Sequence, residues 1–125
     1  MAVIVTADDD PDIREVIGRT LEGAGHTVIA VSDGVAALTQ ARARHPDLVL
    51  LDGEMPPGMS GFDACRALRD DDELAGIPVV MVTGSMPPDH AHQQAPHARE
   101  VVGKPFTRSD LLACVRRVLA GAAPA

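Results

Sequence analysis

The sequence contains no tryptophan and no tyrosine, and its only aromatic side chains are Phe62 and Phe106. Proteins that bind single-stranded nucleic acids stack bases on aromatic side chains, so a stacking platform is excluded. Basic residues are also few, because 11 Lys and Arg stand against 18 Asp and Glu, a formal net charge of −7. Since polyanions bind basic surfaces, we expect no direct binding of nucleic acid by this chain.

Long hydrophobic runs are missing and cysteines are scarce. No apolar run is long enough to span a membrane, so no contact with a bilayer is predicted. The first residues, MAVIVTADDD, have no basic segment before their apolar stretch and do not resemble a signal peptide. We therefore predict a cytoplasmic protein in which Cys65 and Cys114 are reduced thiols, with a disulfide between them as the less favoured alternative.

Apolar residues are plentiful enough for one hydrophobic core. They make up 46% of the 125 residues, and this length is typical of a single domain. We assign residues 1–120 to that domain. The small residues that follow, 121–125, are predicted to form a flexible tail or the start of a linker.

Five short apolar segments alternate with segments of helical periodicity. The predicted strands are residues 2–7, 27–31, 47–52, 78–83 and 100–102. Most are continuously apolar, which is typical of parallel strands covered on both faces. The pattern predicts an α/β fold, an open parallel sheet with helices on both faces, and a ligand site at the carboxyl ends of the strands.

Four helices are predicted from apolar residues at helical spacing. The first is expected to be capped by Asp10 and ended by Gly25, and the last to be opened by Thr107 and Asp110. Each of the first three helices has residues that are expected to face the core. In chain order of the helices they are Ile13, Val16, Ile17, Thr20, Leu21 and Ala24; Val35, Leu38 and Ala41; and Phe62, Cys65 and Leu68.

The segment 84–100 differs from the others because it contains three prolines. They restrict any helix there to a short one between residues 89 and 95. The segment also carries His90, His92 and His97, for which a solvated loop is favoured over a metal site because Pro96 interrupts any helical register.

Polar residues gather at the predicted carboxyl ends of the strands. The first strand ends at Asp8 and Asp9, the third at Asp52 and the fourth at Thr83, and the fifth runs into Lys104. Three carboxylates in one crevice repel one another, by about 4 kcal/mol for a pair at roughly 4 Å and an effective dielectric constant near 20. Such a cluster needs a cation, and its oxygen ligands favour Mg²⁺ over zinc.

The same residues have the chemistry needed to hold a phosphoryl group on a carboxylate. Asp52 is the candidate nucleophile, Lys104 and the metal ion would neutralise the phosphoryl oxygens, and Thr83 would donate a hydrogen bond. Alone, Asp52 could be a helix cap or a surface acid, and Thr83 an ordinary strand terminus. Their common position at the strand ends favours a site.

Four sequence segments resemble the receiver domain of two-component response regulators, in particular the chemotaxis-regulator type. They are ADDDPDIR, LLDGEMPPGMSGFD, VVMVTG and GKPF, and they are spread over the whole chain. The resemblance implies a flavodoxin-like three-layer sandwich, doubly wound around five parallel strands in the order 2-1-3-4-5.

The resemblance also implies roles for individual residues. Asp52 corresponds to the phosphoacceptor, Thr83 to the switch hydroxyl, and Lys104 to the lysine that contacts the phosphoryl group and precedes a cis bond to Pro105. The implied ligands of Mg²⁺ are Asp8, Asp9, Asp52 and the backbone carbonyl of Glu54.

Three features depart from the family pattern or vary within it. Many receivers carry an aromatic residue on strand five that is coupled to the threonine, but the matching residue here is Val101. Segment 84–100, which usually supplies a regular fourth helix for the signalling face, is rich in proline and histidine. Glu54 lies two residues after Asp52, where its side chain could overhang the phosphoryl group and tune hydrolysis.

By this resemblance the chain is a regulatory phosphoacceptor and not an enzyme, with self-phosphotransfer and autodephosphorylation as its only chemistry. A histidine kinase or histidine phosphotransfer protein would phosphorylate Asp52, and a downstream protein or linked output domain would respond. A monomer or weak dimer is expected. The alternatives are a degenerate receiver that binds proteins without phosphorylation and, less favoured, a phosphatase with an aspartyl nucleophile.

Overall fold

The computed structural model describes residues 2–55, 58–84, 91 and 93–122. This part of the chain contains five strands: β1 (Val3–Ala7), β2 (Thr27–Val31), β3 (Leu48–Asp52), β4 (Val79–Thr83) and β5 (Glu100–Gly103). Four helices have both bounds within these residues: α1 (Pro11–Gly23), α2 (Gly34–Arg44), α3 (Gly61–Asp70) and α4 (Arg108–Ala122). The predicted strands are confirmed, with bounds that differ by one residue at most.

The strands form one parallel sheet in the order β2-β1-β3-β4-β5. Asp52 pairs in register with Val82, and Thr83 pairs with Gly103, directly before Lys104. All strands therefore point their carboxyl ends at the same edge, as the doubly wound prediction requires.

Two apolar clusters cover the two faces of the sheet, which makes a three-layer sandwich. Alternate strand residues point to opposite faces, so Val49 and Leu51 pack with α2 and α3, whereas Leu48 and Leu50 pack with α1 and α4. These four side chains are at most 1% exposed. Burial of each contributes about 1.5–3 kcal/mol, which explains why all four strand residues before Asp52 are apolar.

The helix boundaries follow the predicted capping residues. The Asp10 carboxylate accepts hydrogen bonds from two N–H groups of the first turn of α1, at 2.9 and 3.4 Å, and Pro11 occupies that turn. Gly25, just past the end of α1, adopts a positive φ of 95°. Thr107 and Asp110 bond reciprocally to each other's backbone N–H groups before α4.

Three residues predicted to face the core do not do so. Val16 and Val35 are 41% and 57% exposed, and Ala24 is exposed at the end of α1. The buried stripe of α1 is narrower than predicted, because the sheet and α4 cover only one side of the helix. Val35 lies in the first turn of α2, ahead of the residues that meet the sheet.

The prediction for segment 84–100 falls partly outside the described residues, since these do not include 85–90 or 92. Ala91, Gln93 and Gln94 are helical, and the N–H of Ala95 donates to the carbonyl of Ala91 at 3.0 Å. His97 is exposed and its Nε2 contacts the guanidinium of Arg69.

Both cysteines are free and buried. Cys65 packs on the face covered by α2 and α3, and Cys114 on the face covered by α1 and α4. The prediction of free thiols is confirmed, and the alternative of a disulfide is wrong. Within the described ranges, no helix combines the length and the apolar character needed to cross a bilayer.

Candidate functional site

Three carboxylates meet at the carboxyl edge of the sheet. Asp8 follows β1 and Asp52 ends the neighbouring strand β3, and they are only 1% and 7% exposed. Asp9 lies on the exposed rim beside them. One oxygen of each carboxylate lies within 4.8 Å of the others, so the predicted convergence of these three residues is confirmed.

Lys104 lies between the two buried carboxylates. Its Nζ is 2.9 Å from Oδ2 of Asp8 and 3.4 Å from Oδ2 of Asp52. The aliphatic stem of Lys104 passes over Gly84, where an added methyl group would lie 3.2 Å from its Cβ. The following peptide bond to Pro105 is cis, as predicted.

The charges at the site are unbalanced. Burial, and then the negative charge of Asp8, raise the pKa of the Asp52 carboxyl group from 3.8 to about 6, against the opposing effect of Lys104. Burial lowers the pKa of the Lys104 ammonium group, but its contacts with Asp8 and Asp52 outweigh this effect and the pKa is raised. Three carboxylates thus share one ammonium group, and a divalent cation would balance the excess.

The backbone around the acidic pair is held by hydrogen bonds. Oδ1 of Asp8 accepts a bond from the N–H of Asp10 at 2.9 Å. The guanidinium of Arg14, on the first turns of α1, donates to the carbonyl oxygen of Asp8 at 2.8 Å. Sequence reasoning missed Arg14, because a charged residue on an amphipathic helix is normally solvated and nothing local marks it as a contact.

The loop after Asp52 packs tightly against the end of β3. The N–H of Gly61, the first residue of α3, donates to the carbonyl of Gly53 at 3.1 Å. A methyl group added at Gly61 would lie 1.9 Å from the carbonyl oxygen of Asp52, so only glycine fits there. The N–H of Glu54 lies 3.4 Å from Oδ1 of Asp52, and the Glu54 side chain is exposed.

Thr83 completes the predicted group of residues. It ends β4, next to β3, and is 1% exposed. A methyl group added at Gly53 would lie 3.6 Å from Oγ1 of Thr83, so the hydroxyl lies beside the loop that follows Asp52. The same methyl group would lie 2.9 Å from the ring of Phe62, a neighbour of the site that the sequence predicted only as a packing residue.

The donor set suits a hard divalent cation. Asp8, Asp9 and Asp52 offer carboxylate oxygens, and the exposure of Asp9 leaves one side open to water. Mg²⁺ prefers oxygen ligands and keeps part of its water shell, so these residues fit it.

Comparison with known proteins decides the family. Residues 4–116 match the family described as the response regulator receiver domain. The chain belongs to this family. The receiver domain is a regulatory module, the phosphorylation-dependent switch of two-component signalling.

Curated relatives of this receiver domain include proteins of two lengths. The DNA-binding response regulator MtrA of Mycolicibacterium smegmatis is 42% identical over 114 residues, which are 90% of this chain and 48% of MtrA. The chain thus spans about half the length of this relative. Protein PilH of Pseudomonas aeruginosa is 37% identical over 122 residues, covering 97% of this chain and 100% of PilH.

Solved structures confirm the receiver fold. The chemotaxis protein CheY4 of Vibrio cholerae superposes with a TM-score of 0.87 at 32% identity, covering 94% of this chain and 98% of that chain. The receiver domain of a histidine kinase from Syntrophus aciditrophicus gives a TM-score of 0.89 at 29% identity, covering 100% and 95%. Receiver domains in quite different protein contexts therefore share this architecture.

Proposed function

We propose that Asp52 accepts a phosphoryl group from a histidine kinase or a histidine phosphotransfer protein. The contact of the Lys104 ammonium group with both Asp8 and Asp52, at 2.9 and 3.4 Å, is the observation that carries this proposal. An oxygen of Asp52 attacks phosphorus, the bond from phosphorus to the donor nitrogen breaks, and an acyl phosphate forms.

Asp8, Asp9, Asp52 and the backbone carbonyl of Glu54 are the proposed ligands of Mg²⁺. When bound there, the ion supplies positive charge for the phosphoryl oxygens and relieves the repulsion among the carboxylates. Asp8 also keeps Lys104 oriented, because their side chains form the shorter of the two ion pairs.

Lys104 and Thr83 respond to the new group. The ammonium group exchanges its contact with the Asp52 carboxylate for one with a phosphoryl oxygen, and the Thr83 hydroxyl donates to another. These contacts exist only in the phosphorylated state, so they shift the population between two conformations. The reactions of the domain itself are self-phosphotransfer and autodephosphorylation, without turnover of an external substrate.

The wider setting is proposed from the same family membership. The receiver domain is assigned to residues 1–120, with 121–125 as a flexible tail or the start of a linker, although α4 itself continues to Ala122. A cytoplasmic monomer or weak dimer is proposed, which signals to a downstream protein or a linked output domain. The assembled acidic group and Lys104 disfavour a degenerate receiver.

Phosphorylation by a small donor tests the proposal. Acetyl phosphate with Mg²⁺ is expected to add one phosphoryl group to the intact protein, detected by mass spectrometry, and EDTA is expected to prevent the addition. Asp52→Asn should abolish it, while Asp72→Asn, at an exposed acid of the α3–β4 connection, should label as wild type does. Equal labelling of Asp52→Asn and wild type would reject Asp52 as the acceptor.

A further inference from the structure

The usual aromatic partner of the switch threonine is missing from β5. Val101 stands there, partly buried and packed against the apolar cluster under α2 and α3. An aliphatic side chain of this size has no ring to swing between a buried and an exposed position. A change in the position of the Thr83 hydroxyl therefore cannot reach the surface through the movement of a ring on β5.

Phe62 is the aromatic side chain that lies beside Thr83 and the Asp52 loop. A methyl group added at Gly53 would lie 2.9 Å from both Cε2 and Cζ of Phe62, and 3.6 Å from Oγ1 of Thr83. The ring edge and the hydroxyl thus flank the same small volume, directly after Asp52. The ring can approach only because Gly53 has no side chain.

Phe62 also belongs to α3, so a movement of its ring acts directly on that helix. It is the second residue of that helix, is 8% exposed, and packs in the cluster that holds α2 and α3 on the sheet. The helix start is pinned to the Asp52 loop by the bond from the Gly61 N–H to the Gly53 carbonyl. A shift of the ring cannot be absorbed locally, because a close-packed interior transmits strain.

We propose that Phe62 takes the place of the missing β5 aromatic and couples the position of the Thr83 hydroxyl to α3. This inference rests on the proposed function, since phosphorylation of Asp52 is what draws Thr83 towards the phosphoryl group. As the hydroxyl leaves its place beside Gly53, the ring edge moves into the space and carries the first turn of α3 with it. The output change then appears on the α2–α3 side of the molecule.

The small number of aromatic residues makes the test direct. Protein grown with ring-¹³C phenylalanine gives aromatic signals from Phe62 and Phe106 alone, and Phe62→Leu assigns them. Mg²⁺ and beryllofluoride, a mimic of the aspartyl phosphate, are added, and the ¹⁹F signal of bound beryllofluoride measures occupancy independently. At full occupancy we expect the Phe62 signal and the α3 amide signals to shift. Thr83→Ser should keep these shifts and Thr83→Val should lose them.

Gly53→Ala provides a second test that leaves Thr83 intact. Its methyl group would displace the ring, so at equal beryllofluoride occupancy the shifts of the α3 amides should fall below half of their wild-type size. Gly76→Ala is the matched control, because a methyl group there meets nothing within 4 Å. Normal α3 shifts in Gly53→Ala, or a Phe62 signal that stays fixed in occupied wild type, would overturn the coupling alone. Failure of wild type to bind beryllofluoride would instead overturn the proposed function.

Discussion

At the scale of single residues, the negative charge of Asp52 destabilises the metal-free protein. Burial, then Asp8, raise the pKa of its carboxyl group to about 6, so the folded state binds this proton more tightly than the unfolded chain, with its value of 3.8. Folding therefore raises the pKa of this carboxyl group, whereas it lowers the pKa of most acids. Without divalent cations, the contribution of Asp52 to the free energy of unfolding should decrease as the pH rises from 3.8 to about 6, and stay lower above that range.

Asp52→Asn removes that charge and should stabilise the metal-free protein at pH 7. We expect the free energy of unfolding to rise by about 1–2 kcal/mol, given that one pKa unit corresponds to about 1.4 kcal/mol and that some solvent reaches the site. Urea denaturation in EDTA measures it, with Asp72→Asn as the exposed control. Added Mg²⁺ should narrow the difference by stabilising only wild type. If Asp52→Asn were less stable than wild type in EDTA, the charge of Asp52 would not be destabilising.

Lys104→Met should have the opposite effect, because it leaves Asp8 and Asp52 without their ammonium group. Breaking a buried ion pair usually costs about 3–5 kcal/mol. Since the Lys104 side chain is 20% exposed, we expect a smaller loss, about 2 kcal/mol at pH 7. The loss should shrink when Asp52→Asn is present as well, which a double-mutant cycle of urea denaturations measures. An unchanged loss would mean that Lys104 and Asp52 are not coupled.

At the scale of secondary-structure elements, the start of α3 has no room for a side chain. An added methyl group at Gly61 would lie 1.9 Å from the carbonyl oxygen of Asp52, so β3 and α3 must separate. Gly61→Ala is expected to cost about 1–3 kcal/mol, as in overpacked cores, whereas Gly76→Ala should stay within about 0.5 kcal/mol of wild type. Thermal denaturation of both variants gives the comparison, and equal melting temperatures would contradict the tight contact.

Most of what the sequence could predict followed from the order of strands and helices along the chain. Parallel strands end at one edge, so residues that follow the strands, such as Asp8, Asp52 and Lys104, could be grouped without coordinates. Side-chain neighbours across elements could not be grouped in this way. The approach of Phe62 to Gly53 depends on how the loop after β3 turns, and the exposure of Val35 depends on how far α2 extends beyond the sheet.

At the scale of the whole molecule, the two cysteines report on the two faces of the sheet. Cys65 lies on the buried side of α3, and Cys114 lies on the buried side of α4. Burial raises the pKa of both thiols, that of Cys114 to about 12, so we expect both to react slowly while the domain is folded. If the domain unfolds cooperatively, iodoacetamide should label both at the same rate, as read by peptide mass spectrometry. Faster labelling of Cys65 would show that the α2–α3 layer opens alone.

The strand order has a consequence for synthesis of the protein. β1 is made first, yet its neighbours on either side are β2 and β3, which leave the ribosome later. Because synthesis proceeds at about 5–20 residues per second, several seconds pass before Leu48–Leu51 of β3 can pair with β1. During that interval the nascent chain offers an unpaired apolar edge, the kind of segment that chaperones bind and that aggregation exploits.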